Sequence, residues 1–418
     1  MLNIQSPIKH KSKKGALAVG MKVGFFTIYG LLGWTVVLPL VGAKLVNDAV
    51  FGKRVTPLDI TLTYDDFKDV MTRKEMSFMS GKNKLAGYHY TAKPIEGREQ
   101  KRGKALVIVS HGIGCNMDGY LNRTEWFVKH GYEVFTFDMT GTCLSEGKGL
   151  RSLMQSKVDL HNAIEFVKTR KEFEGMPILV YGHSWSGYAA ANMLNYGHNE
   201  LTAVASLSGF NDTWGILRPH AARYVGSLAV MLKPWFKLLE RIMYGKTASG
   251  NGVTGINAFG GPVLVAHSVD DPTVPIESSV YVHRDEIVNP NAEYMLYQDR
   301  GHTLSRPIAA EACINEDYAK NRKKAAFGKC DRENELRESD AGGEDSAIAS
   351  AVDATAKNGG KSDSYKGMNI FQRNVNEHYQ FSEKGVVFAT DEEFMTMVDN
   401  FFERALERRA KAQEGDNA

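Results

Sequence analysis

Residues 177–191 read PILVYGHSWSGYAAA, and the serine near their centre is the residue best placed to do chemistry. A serine hydroxyl is a poor nucleophile at neutral pH unless a base takes its proton and a third group orients that base. Ile178 to Tyr181 is a short apolar run suited to a buried strand, and small residues with a helical pattern follow Gly187. Strand, sharp turn and helix together lift a serine oxygen off a sheet edge and aim the next amide, here that of Trp185, at a reacting carbonyl. Such a turn crowds the backbone, so the positions two before and two after the serine must be small. Ser184 has Gly182 before it and Ser186 after it, whereas Ser186 as nucleophile would put Tyr188 in the crowded place. The spacing favours Ser184, the alternative being an ordinary strand-to-helix turn rich in Gly and Ser.

Two later features supply a base and its orienter. Asp271 stands in Val269-Asp270-Asp271-Pro272-Thr273-Val274-Pro275, directly after the apolar run Pro262–His267. His302 stands in Asp299-Arg300-Gly301-His302, directly after the run Ala292–Tyr297. An Asp before Pro is by itself a turn former, and Gly-His is by itself loop punctuation. The order Ser, Asp, His, each at the end of an expected strand, is what gives them weight. His111, His183 and Asp138 fall outside that pattern and read as structural.

The chain from about Leu58 onward resembles an α/β-hydrolase of the lysophospholipase, monoacylglycerol-lipase and serine-aminopeptidase type. The resemblance implies that the acid precedes x-x-V-P, which selects Asp271 over Asp270, and that the histidine follows a glycine, as His302 does. His111-Gly112-Ile113-Gly114 is similar to the H-G-x-G element of that family, which implies that the Ile113 amide joins the Trp185 amide as an oxyanion hole. The family's D-x-R-G-x-G-x-S loop is represented by Asp138 to Ser145. It keeps Asp138, Gly141 and Ser145 and has Thr140 and Cys143 where the Arg and the second Gly would stand. The implied activity is hydrolysis of a carboxylic ester, lipid-like or another acyl ester, through a Ser184–His302–Asp271 triad and an acyl-enzyme. No cofactor or metal is needed. A serine peptidase or aminopeptidase, or an acyltransferase, would use the same triad, and a non-catalytic ligand-binding relative would keep the pocket without turnover. Dehalogenase and epoxide-hydrolase chemistry would need an aspartate in place of Ser184.

The surrounding elements must hold these residues. Val55–Lys93 reads as strands, with Ile60, Leu62 and Tyr64 alternating and a hairpin through Ser80-Gly81-Lys82-Asn83. Strands and helices then alternate from Ala105, which implies a mostly parallel sheet with helices on both faces. Residues 209–260 read as a helical cap insertion between strands, with Trp214, Trp235, Phe236, Leu238, Leu239 and Met243 either meeting an acyl group or packing the cap. Residues 306–367 are dense in Lys, Glu, Asp, Ser, Ala and Gly and read as a flexible polar insertion. Thr390 with Glu393 reads as a capping box before an apolar stripe from Phe394 to Leu406.

At 418 residues, 43% of them hydrophobic, the chain is long enough for one large hydrolase domain, taken as 55–418. A net charge of +2 gives no reason to expect a nucleic-acid partner. Residues 1–54 carry Lys9, Lys11, Lys13, Lys14 and Lys22, followed by an uncharged run from Val23 to Ala43. That run is long enough to cross a hydrocarbon core of about 30 Å as a helix. It reads as a transmembrane anchor with the hydrolase domain outside the cytoplasm, or as a signal segment cut after Val41-Gly42-Ala43, or as a buried core helix. Cys115, Cys143, Cys313 and Cys330 lack C-x-x-C spacing and an accompanying His cluster, which argues against zinc and leaves disulfides or free thiols.

Overall fold

The computed structural model describes residues 22, 33–97, 101–321 and 368–416. Its centre is an eight-stranded sheet of β1 (Met71–Ser80), β2 (Asn83–Ala92), β3 (Leu106–Ser110), β4 (Glu133–Phe137), β5 (Ile178–His183), β6 (Ala203–Leu207), β7 (Val263–Ser268) and β8 (Ala292–Tyr297). The spatial order is β1-β2-β4-β3-β5-β6-β7-β8. β1 and β2 are antiparallel, β2 lies antiparallel to β4, and every pairing from β4 through β8 is parallel. The hairpin between β1 and β2 closes through Gly81-Lys82, with Gly81 at φ 59°, where a side chain would be strained.

Strand periodicity divides the core into two layers. Leu106 and Ile108 of β3 point to one face and Val107 and Val109 to the other. The first face is covered by α3 (Gln155–Lys168) and α4 (Trp185–Asn192), the second by α2 (Leu121–Lys129) and α10 (Glu392–Asp416). Phe394, Val398, Phe401, Phe402 and Ala405 of α10 are all buried, each large side chain being worth about 1.5–3 kcal/mol of transfer from water. The stripe read in the sequence is therefore core. Its cap differs from the expected box: Asp391 Oδ1 accepts from the Phe394 amide at 2.7 Å, while Thr390 Oγ1 is taken by Asn122.

Between β6 and β7 lie α5 (Thr213–Val225), a 3-10 turn (Gly226–Leu232), α6 (Lys233–Tyr244) and α7 (Gly252–Phe259). After β8, residues 308–321 are helical, and the rest of the polar stretch to 367 lies outside the described residues. The chain resumes with α8 (Ile370–Tyr379) and the short α9 (Lys384–Val387).

Residues 60–64 are not a strand. Leu58 and Leu62 are buried, but among the described residues no strand pairs with this segment, and the residues before it bond to α8. Thr56 exchanges hydrogen bonds with the Gln372 side chain at 2.8–3.0 Å, and Asn376 accepts from the Asp59 amide. At the N-terminal end, α1 (Leu38–Phe51), preceded by a π-helical turn at Gly33–Val37, gives one helix of 19 residues that is long and apolar enough to cross a membrane. It continues past Ala43, where the apolar run ends, because Ala43, Asn47 and Phe51 are buried against the body.

Candidate active site

The turn after β5 is built by what cannot fit elsewhere. Ser184 sits at φ 63°, ψ −119°, a conformation that costs a non-glycine residue about 1–3 kcal/mol. A Cβ on Gly182 would lie 2.3 Å from the Ser186 carbonyl oxygen, and one on Gly187 would lie 2.4 Å from that of Leu207. Both positions thus demand glycine. The position two after Ser184 is less restrictive, and Ser186 fills it with its hydroxyl turned beneath β3, bonded to Ser110 Oγ at 2.9 Å and donating to the His111 carbonyl. The Ser184 amide donates to Leu207 O at 2.8 Å, tying the turn to β6.

The structure brings Ser184, His302 and Asp271 together. Ser184 Oγ lies 2.8 Å from His302 Nε2, and His302 Nδ1 lies 2.8 Å and 2.9 Å from the two Asp271 oxygens. The Asp271 carboxylate also accepts from the amides of Thr273 and Val274. Burial pushes its pKa up, but the nearby His302 and these donors outweigh that and hold it below the ordinary carboxylate value. Asp270 is set apart from Asp271: its Oδ1 accepts from the Gly301 amide at 2.9 Å, which shapes the turn delivering His302.

Ser184 is the N-cap of α4, so the Trp185 amide occupies the first helical position, where no intrahelical acceptor exists. Ile113 lies on the neighbouring loop after β3. A Cβ on Gly112 would come 3.6 Å from Ser184 Oγ, which places this loop directly against the serine.

This is the α/β-hydrolase fold. Residues 101–255 match the family described as serine aminopeptidase, S33. Among solved structures, an esterase of Pyrococcus furiosus is 20% identical, with 60% of this chain and 91% of that one covered and a TM-score of 0.44. An acetyl xylan esterase of Paenibacillus sp. R4 is also 20% identical, covering 66% and 92%, with a TM-score of 0.45. An acylaminoacyl peptidase of Pyrococcus horikoshii is 16% identical, covering 57% and 39%, with a TM-score of 0.42. No curated protein matches this chain in sequence.

Around the candidate site, Tyr120 was not singled out by sequence reasoning, and it links to His183, which was read as structural. Tyr120 Oη donates to His183 Nδ1 at 2.7 Å and accepts from the Gly112 amide at 2.9 Å. His183 Nε2 in turn donates to the His302 carbonyl at 2.9 Å, which Ser208 Oγ also meets at 2.8 Å. One chain of hydrogen bonds therefore joins the loop after β3 to the backbone of His302. His183 stays neutral, since burial and the neighbouring His302 lower its pKa to about 3. Burial lowers His111 to about 4, and its Nε2 accepts from the Met139 amide. Nothing in local spacing marks Tyr120; the G-x-S pattern points at His183 only as the variable position.

The Asp138–Ser145 loop has Thr140 where the sequence resemblance would place an Arg, and Arg54 supplies a guanidinium from outside it. Arg54 donates to the carbonyls of Cys143 at 2.7 Å and Ser145 at 2.8 Å, and to that of Gly147. Helix α8 lies against the other side of the site. A Cβ on Gly114, at φ 78°, would meet the backbone of Phe371 and Gln372 at 2.7–2.9 Å, and Phe371 stacks on Phe51 at 5.5 Å.

Cys115, Cys143 and Cys313 are free thiols, and Cys330 lies outside the described residues. Among the described residues, His161, Glu165 and His198 bring ligand atoms within 4.8 Å of one another. Direct contacts account for that cluster: His161 Nδ1 and His198 Nε2 are 2.8 Å apart, and Lys168 pairs with Glu165 and Glu200 at 2.9 Å.

Proposed function

We propose that this chain is a membrane-anchored serine hydrolase that cleaves a carboxylic ester of a lipid-like acyl group. The observation that carries the reading is the 2.8 Å separation of Ser184 Oγ from His302 Nε2, with the other His302 nitrogen held by a buried carboxylate. In that arrangement Ser184 Oγ attacks the acyl carbonyl while His302 Nε2 takes its proton. Asp271 fixes the imidazole so that Nε2 faces the serine, and stabilises the imidazolium that forms. The Trp185 amide, with that of Ile113 across the loop, donates to the oxyanion; one such donor is typically worth about 3–4 kcal/mol of barrier. His302 then protonates the leaving alcohol, and water activated by the same nitrogen releases the acid from Ser184.

The lipid part of the proposal rests on the apolar N-terminal helix, whose side bearing Ala43, Asn47 and Phe51 is packed on the body. A helix so held keeps the enzyme beside the membrane in which an acyl ester of low solubility would reside. A peptidase reading has the description of the matching family in its favour and shares every proposed step up to the leaving group.

A fluorophosphonate probe tests the nucleophile: labelling is expected in wild type and in Ser186→Ala and lost in Ser184→Ala. Labelling that survives Ser184→Ala would overturn the assignment. A panel of p-nitrophenyl esters, monoacylglycerols, lysophospholipids and aminoacyl amides then separates the substrate classes. Turnover of short esters or amides without any of the lipids would defeat the lipid part alone.

A further inference from the structure

The large apolar residues left exposed are concentrated on neighbouring elements. On α1 and the turn before it, Trp34, Leu38, Val41 and Leu45 are exposed. At about 100° per residue they fall opposite the buried Ala43, Asn47 and Phe51. Helix α6 packs directly against α1. The 3-10 turn that runs into α6 exposes Leu228, Val230 and Met231 by 62%, 58% and 68%, and Leu238 and Ile242 continue along α6 one helical turn apart. The inward residues of the same insertion, Trp214 and Leu239, are buried, and Trp214 meets Phe236 at 5.8 Å. Core packing therefore accounts for one side of these helices and leaves the other in need of a partner.

Charge states what that partner is. Arg218, Lys233, Arg241 and Lys246 of this insertion are exposed, while its acids Asp212 and Glu240 both face Lys237, at 3.9 Å and 3.0 Å. A chain of net charge +2 thus places these basic residues on the elements that flank an exposed apolar turn. Apolar side chains projecting between basic ones fit the boundary between acyl chains and anionic headgroups. The position fits as well: α6 packs directly against α1, the helix long and apolar enough to cross a membrane, so the exposed turn lies beside the proposed anchor.

We propose that the turn Gly226–Leu232 and the outer side of α6 form a second membrane contact, seating the hydrolase body on an anionic phospholipid surface next to its anchor. The proposal rests on the membrane-anchored reading above, and its test uses a readout that does not depend on catalysis. The full chain is reconstituted in vesicles of phosphatidylcholine with phosphatidylglycerol, carrying dansylalanine at position 231 or, as control, at the exposed Val288. Doxyl-labelled phosphatidylcholine is expected to quench the probe at 231 by roughly half or more and to leave the probe at 288 unchanged. Equal, water-like emission at both positions would overturn the proposal whether or not the enzyme turns over esters. In the same vesicles, Leu228→Asp/Met231→Asp is expected to lower turnover of monooleoylglycerol relative to p-nitrophenyl butyrate by roughly tenfold. An unchanged ratio would count against the contact even if the soluble ester is hydrolysed normally.

Discussion

The two sides of the candidate site are held in different ways. Ser184 is fixed locally: β5, the first turn of α4 and β6 crowd its backbone, Ser186 ties the turn to Ser110 of neighbouring β3, and two glycines within three residues make the turn possible. The loop Gly112–Cys115 is fixed from a distance. Gly114 lies under the backbone of Phe371 and Gln372, α8 is bonded through Gln372 and Asn376 to residues 56–59, and Phe371 stacks on Phe51 at the end of α1. The loop bearing His302 is joined to the same segment through Arg306, which donates to Val387 O and Tyr379 Oη. Ser184 thus depends on its own core, while the groups around it depend on chain segments at both ends of the sequence. A local motif can carry the first arrangement, and only the whole fold carries the second.

Changes on the two sides should therefore differ in kind. The largest effect is expected from Ser184→Ala, which removes the oxygen proposed to attack and should lower kcat by about 10⁴–10⁶ with the melting temperature little changed. Retention of more than a hundredth of the activity would contradict the assignment. Next comes Gly114→Ala, which adds a Cβ 2.7–2.9 Å from the α8 backbone at a left-handed position. Displacement of the loop should lower kcat by about 10²-fold, with KM for a soluble ester changed far less. A fall in stability with kcat intact would mean that α8 packs on the loop without positioning it.

A third prediction concerns acid. His183 and His111 are kept neutral by burial, at pKa values of about 3 and about 4, below the ordinary value of 6.5. In the unfolded chain both take up a proton as pH falls through their ordinary range, while the folded protein does not. Stability is then intact above that range and drains as pH falls toward the folded values, with a slope of up to about two protons. Urea titrations at stepped pH should show that slope, reduced by about one proton in His183→Gln. An unchanged slope would contradict neutral burial at this position. The smallest effect is expected from Gln372→Ala, which cuts the bonds to Thr56 and should cost about 1–2 kcal/mol in urea unfolding with a few-fold loss of kcat. No change in either would make the link from α8 to the segment after α1 dispensable.

The same contrast explains what was legible in the sequence. Apolar runs bounded by turn residues marked the strands from β3 to β8, because buried parallel strands leave a compact local pattern. Ser184, Asp271 and His302 were legible because each follows such a run. The alternation of Ile60, Leu62 and Tyr64 misled, since residues 60–64 pair with none of the described strands: Leu62 packs into the core beside Met71 and Tyr90, Tyr64 Oη bonds Met71 O at 3.1 Å, and the preceding residues Thr56 and Asp59 are held by Gln372 and Asn376 some 300 residues away. The cap of α10 shifted from Thr390 to Asp391 because Asn122 claims the threonine hydroxyl. Tyr120 and Arg54 gave no local signal, since each acts through partners that only the fold brings near.

The central claim is that acyl transfer passes through one oxygen. Rapid quenching of wild-type enzyme with p-nitrophenyl decanoate, followed by peptide mass spectrometry, tests it most directly. The account predicts a decanoyl adduct on Ser184 that appears with the burst of nitrophenol and is absent in Ser184→Ala. An adduct on Ser186 instead, or full turnover by Ser184→Ala, would contradict it.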